Sequence, residues 1–160
     1  MPNIFTDMHK LRPYFTLLLF LLIVAGVSFS GAQFRPGGWY AGLIKPGWTP
    51  PNWIFPVVWS VLYLMIAVAG WLIFAASSRT LKTLWVIQLA LNGFWSWIFF
   101  GMHLIGLGMI DILAIFVCTF ALFALACKSS RAVAWLMTPY LFWIGYASAL
   151  NVAIYFLNPA

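Results

Sequence analysis

Acidic side chains are almost missing from this chain. Asp7 and Asp111 are the only two in 160 residues. Charged residues of either sign make up 6% of it, against about a quarter in ordinary soluble domains. So little charge excludes a water-soluble surface, and it also excludes catalysis by paired carboxylates. Cysteine is equally scarce: Cys118 and Cys127 stand nine residues apart in one apolar run, on roughly opposite faces of a helix. That spacing argues against both a disulfide and a shared metal. The two histidines, His9 and His103, fall on segments expected at opposite membrane faces, so no metal-ligand cluster forms. There is no glycine-rich phosphate loop and no nucleophile motif. Although the net charge is +6, the eight basic residues are scattered through loops without a stripe, which excludes a nucleic-acid surface.

Hydrophobic residues dominate instead, at 65% of the chain with a mean hydropathy of +1.02. After a polar leader (residues 1–12), apolar runs long enough to cross a bilayer are expected at about 13–32, 53–76, 81–102, 107–127 and 132–157. The first also resembles a signal peptide, with basic residues before it and Ser28, Ser30, Gly31 and Ala32 at its end. It is long for one, and is read as a retained helix. The runs are continuous rather than alternating, which argues against a β-barrel. The expected fold is therefore an all-α integral membrane protein, one domain over 1–160, built as a five-helix bundle. Six basic residues (Lys10, Arg12, Arg79, Lys82, Lys128, Arg131) fall on one side, against Arg35 and Lys45 on the other. The positive-inside rule then predicts a cytoplasmic N-terminus and an outside C-terminus. A bacterial inner membrane is the expectation, with the outer membrane as the alternative.

The stretch Trp39–Tyr63 holds four of the ten tryptophans and four of the nine prolines. Pro46, Pro50 and Pro51 exclude a regular helix or central strand from its first half. Its second half becomes an apolar span. This reads as a stiff aromatic lid, about Gln33 to Asn52, over a pocket. Three helix faces point the same way: Gln88, Asn92, Trp95 and Phe99; Tyr140, Trp143, Ala147 and Asn151; Phe55, Trp59 and Tyr63. Lipid satisfies neither amides nor hydroxyls, so these faces should turn inward. The plainer account is that Asn92 and Asn151 only bond helix to helix, at about 1 kcal/mol each.

Trp39, Trp48, Trp53, Trp85 and Trp135 fit an interfacial belt. Trp95 and Trp143 lie too deep for it and must still place their N–H groups. Asp111 is expected in the first turn of the fourth span, where a carboxylate complements the helix dipole. Pro56 and Pro139 are expected in opening turns or as slight kinks, and Gly145, Ala149 and Ala153 as a packing seam.

These residues resemble the tryptophan-rich sensory protein or translocator protein family (TspO, once called the peripheral-type benzodiazepine receptor). The resemblance is carried by W-Y-x-x-L-x-K-P-x-W-x-P-P-x-W-x-F-P-x-x-W-x-x-L-Y from Trp39 to Tyr63. It continues with A-L-N-x-x-W-S-x-x-F-F-G from Ala90 to Gly101 and P-Y-L-x-W-x-x-Y-A-x-x-L-N from Pro139 to Asn151. It implies a five-helix bundle, usually a homodimer. The implied ligands are porphyrins such as protoporphyrin or haem, sterols and benzodiazepine-type compounds. No cofactor is obligatory. The matching pocket positions are Tyr40, Trp59, Asn92, Trp95, Trp143 and Ala147. Some relatives resemble light-dependent porphyrin-degrading enzymes, and the matching tryptophans are Trp59 and Trp143. The family's sterol motif needs a basic residue after its tyrosine. Here Val152 and Tyr155 are present, but no Lys or Arg comes after them. Three functions compete: tetrapyrrole receptor, photo-oxidative enzyme and transporter. Transporters often carry internal repeats, which are not seen here. An enzyme without an acid–base pair would leave the chemistry to pigment and oxygen.

Overall fold

The computed structural model describes residues 4–34, 36–76 and 78–159, with side chains from residue 14 on. His9, Lys10, Arg12, Arg35, Ser77 and Ala160, which bear on topology and loop boundaries, lie outside the described side chains. Among the described residues five helices are long and apolar enough to cross a membrane. They are α1 (Ile4–Ala32, spanning from Tyr14), α3 (Ile54–Ala76), α4 (Arg79–Ser96) with a π-helical turn at Trp97–Gly101, α5 (Ile105–Ser129) and α6 (Arg131–Leu157). A one-turn helix, α2 (Gly38–Gly42), sits in the first loop.

Four differences from the sequence expectation have local causes. The helix begins within the polar leader, because its Met, Lys, Leu and Arg are good helix formers. The start of the lid stretch is helical through Gly42, because the first proline that interrupts it is Pro46. Pro139 lies in the third turn of α6 rather than at its start, so the Trp135 carbonyl has no N–H four residues on. Asp111 is not in a first turn: the Gly108 N–H already donates to the Leu104 carbonyl at 2.9 Å, so α5 opens at Ile105. Asp111 is instead buried in the second turn, with Oδ2 unpartnered.

The spans form a closed ring in the order α1, α3, α6, α5, α4, each packed on the next. Turns at the end away from the lid are short because serines cap the helices they lead into. Ser78 Oγ accepts from Leu81 N–H, and Ser130 Oγ from Val133 N–H, each at 3.5 Å. In that half the ring is filled, with Ile66, Ile73, Leu122, Ala126, Val133 and Met137 wholly buried. α3 and α4 meet there because Gly70 leaves room for Trp85, whose Nε1 donates to the Ile66 carbonyl at 3.0 Å. Trp85 is thus a core residue, not an interfacial anchor. Trp53 and Trp135 are exposed, as a belt requires. Ala149 is also exposed, so Gly145, Ala149 and Ala153 make no continuous seam within the chain; Gly145 alone receives the Phe116 ring. Both cysteines are free.

Candidate functional site

At the lid end the ring is hollow. A cavity of about 610 Å³ lies beneath the first loop, walled by all five spans. Its volume suits a small molecule or cofactor, for which pockets run about 300–1,000 Å³. The three faces expected from spacing do converge there. Phe55, Trp59 and Tyr63 come from α3, Asn92, Trp95 and Phe99 from α4 and the π turn, and Trp143, Ala147 and Asn151 from α6. Tyr40 closes it from above, so all six positions singled out by motif (Tyr40, Trp59, Asn92, Trp95, Trp143, Ala147) line one space.

Gln88 and Tyr140 do not line it. They lie beneath, in a hydrogen-bonded floor. The Tyr63 hydroxyl donates to Asn92 Oδ1 (2.8 Å), Asn92 Nδ2 to the Tyr140 oxygen (3.2 Å), and the Tyr140 hydroxyl to Gln88 Oε1 (2.9 Å). Gln88 Nε2 ends the chain on the Trp85 carbonyl at 3.1 Å. Asn92 therefore does tie α3, α4 and α6 together, while one of its faces still meets the cavity.

The wall above the floor is different. Trp95 Nε1, Trp143 Nε1 and Asn151 Oδ1 are buried with no hydrogen-bond partner. Asn151 uses only its amide nitrogen, on the Ala147 carbonyl at 2.8 Å. Leaving a buried polar atom unpaired costs about 1–3 kcal/mol. Two indole donors and one amide acceptor are thus left unspent within a wall whose rings suit a guest that is flat and largely apolar. Around them Trp59 stacks on Tyr63 (5.0 Å between centroids) and Trp95 on Phe99 (5.2 Å), while Phe55 meets Trp143 edge-on (5.8 Å).

The lid is held shut by polar and aromatic contacts. Lys45 Nζ donates to the carbonyls of Tyr40 (2.7 Å), Leu43 (2.8 Å) and Ala41 (3.2 Å), and lies 4.8 Å from the Tyr40 ring centre. These contacts cap α2 and keep Tyr40 turned inward. Burial, and then the nearby Tyr146, push the Tyr40 phenol above its usual range. Asn158 pairs with the Ile44 backbone in both directions, each bond 2.9 Å, and the Tyr146 hydroxyl donates to the Trp48 carbonyl at 2.7 Å. On the far edge Trp39 stacks on His103 at 4.3 Å, where His103 takes a left-handed φ of 59° to leave the π turn.

Sequence reasoning missed the contributions of α1 and α5. Ser28 and Gly31, Ile112 and Ile115 line the cavity, but small or aliphatic side chains in an apolar run carry no distinguishing signal. It also missed the latch, because Asn158 and Ile44 are 114 residues apart.

Comparison with known proteins adds the ancestry of this arrangement. The TspO/MBR family matches residues 15–157. Protein CrtK of Rhodobacter capsulatus is 36% identical over 150 residues, covering 88% of this chain and 91% of its own. Tryptophan-rich protein TspO of Chlorobaculum tepidum is 36% identical over 154 residues (90% and 96%). The human translocator protein is 32% identical over 152 residues (89% and 90%).

Proposed function

The chain belongs to the TspO/MBR family of integral membrane proteins, and on that premise we propose that it is a receptor for porphyrins and related tetrapyrroles. The observation that carries this reading is the lid-covered cavity with unpaired Trp95 Nε1, Trp143 Nε1 and Asn151 Oδ1 on an otherwise aromatic wall. A tetrapyrrole matches it group by group. Its flat ring lies between Trp59, Trp95 and Trp143, a carboxylate or carbonyl accepts from an indole N–H, and a pyrrole N–H donates to Asn151. Tyr40 covers it, Ala147 leaves room beside it, and Asn92 closes the bottom. Sterols and benzodiazepine-type compounds are further ligand classes of the same proposal. We also assign the protein to a homodimer in a bacterial inner membrane, with its N-terminus inside. Arg79, Lys82, Lys128 and Arg131 at the end away from the lid support that orientation.

Titration with protoporphyrin in the dark tests the receptor reading. Tryptophan emission should quench saturably with micromolar affinity, roughly −8 kcal/mol. Quenching no greater than that of free tryptophan sinks it. A topological reporter beyond the C-terminus should read outside, and one between α3 and α4 inside; reversed activities overturn the orientation. A second reading, light- and oxygen-dependent porphyrin degradation, is favoured by the placement of Trp59 and Trp143 in one wall. Indole is far easier to oxidise than a phenyl ring, so Trp→Phe variants separate the two.

A further inference from the structure

The cavity wall is open on one side only. Among the described residues, five wall residues are exposed: Ala32, Pro36, Asn52, Pro56 and Ser60. They belong to the end of α1, the start of α3 and the chain between them. No wall residue from α4, the π turn, α5 or α6 is exposed. The mouth therefore lies between α1 and α3. Ser60 is six residues past Ile54, so the opening descends about 9 Å along α3 at 1.5 Å per residue. Ser28, half-buried on α1, lies four residues before Ala32, about 6 Å down. Both positions are inside the spans, below the lid.

The lid is fastened on the opposite side. Lifting it breaks the paired Asn158–Ile44 bonds, the Tyr146–Trp48 bond and the Trp39–His103 stack. Passage between α1 and α3 breaks none of these. On the α1 side the mouth is edged by Ser28 and Ala32, both small enough to let a flat body pass edge-on, while Gly31 faces Ser96 of α4.

We infer that ligand exchanges laterally with the bilayer through the α1–α3 mouth while the lid stays latched. The site then selects an amphiphile already dissolved in the membrane, with a flat apolar body and a polar edge at the interface. This rests on the cavity being the ligand site.

The test uses full-length protein in lipid vesicles with Cys118→Ser and Cys127→Ser, and protoporphyrin as probe. One variant carries Ser28→Cys with Ser60→Cys across the mouth, another Ile44→Cys with Asn158→Cys across the latch. Each is measured before and after bridging its thiols with a short bis-maleimide, so every protein is its own folding control. Bridging the mouth should slow association and dissociation together, about tenfold. Bridging the latch should change neither rate. Slowing by the latch bridge alone overturns the inference. So does a mouth bridge that weakens affinity without slowing exchange, since that marks a wall rather than a passage. Absence of saturable binding before any bridge is made removes the ligand-site reading as well, which distinguishes the two failures.

Discussion

Trp85 and Trp95 are ten residues apart on one helix, yet they belong to two differently built halves of the molecule. Trp85 fills the half away from the lid, resting against Gly70 with its N–H spent on the Ile66 carbonyl. Trp95 stands in the wall of the hollow half with its N–H unspent. The same residue has its N–H spent in one place and unpaired in the other. Depth in the membrane does not separate the two; whether the indole N–H finds a partner inside the protein does. The filled half also explains how the hollow half persists, since five helices anchored at one end need no central packing at the other.

The largest effect should come from spoiling the filled half. A Cβ at Gly70 would fall 2.4 Å from the Trp85 ring. Gly70→Val should therefore cost about 3 kcal/mol of stability, read from thermal unfolding in detergent. Gly26, with nothing within 4 Å, is the control: Gly26→Ala should leave the melt unchanged or raise it slightly. Equal melts for both would break the comparison. Next, Tyr140→Phe removes the hydroxyl between Asn92 and Gln88, lowering stability by about 2 kcal/mol. Tyr140 does not line the cavity, so protoporphyrin affinity should change little. A large affinity loss would move the floor into the site.

In the hollow half, Trp143→Phe should weaken dark binding by about 1 kcal/mol, the scale of an aromatic pair, with an unchanged melt. Trp59→Phe should behave alike. Suppose instead that a large oxygen-dependent light decay in the wild type vanishes in both variants while dark affinity persists. The protein is then an enzyme. The smallest effect concerns Tyr40. Its folded phenol is raised by burial, so neutral Tyr40 stabilises the lid below the unfolded value of about 10. That contribution is lost only as pH rises through the higher folded value. Phenolate absorbance, compared between wild type and Tyr40→Phe, should show this one group ionising above that reference.

Much of this is legible in the chain. Span positions come from apolar runs, and three of the cavity faces from a 3.6-residue period, because an amide or hydroxyl in lipid has only one sensible direction. The remainder depends on contacts between distant segments. Trp85 reads as an interfacial anchor until Gly70 is seen opposite it. Asp111 reads as a first-turn residue because the helix start is set by the Leu104 carbonyl, which no residue type advertises. Ile115 carries no polarity to betray which way it faces, and a serine such as Ser28 can satisfy its hydroxyl on the backbone of its own helix. The division of Gln88, Asn92, Tyr63 and Tyr140 into floor and wall needs the third dimension altogether.

The π turn at the end of α4 bears on how this chain tolerates changes in length. Its bonds close over one residue more than α-helical ones, as in Met102 N–H to the Trp97 carbonyl at 2.8 Å. Two neighbours from this turn, Phe99 and Phe100, both line the cavity. Deleting one residue between Trp97 and Gly101 would let this stretch close as regular α-helix, since the π turn holds one residue more than an α turn does. Beyond it His103 would keep close to its place against Trp39, whereas the same deletion in the regular part of α4 would swing everything beyond through about 100°. The π turn is thus where this helix can lose a residue and keep its roof, and the regular turns before it are where it cannot.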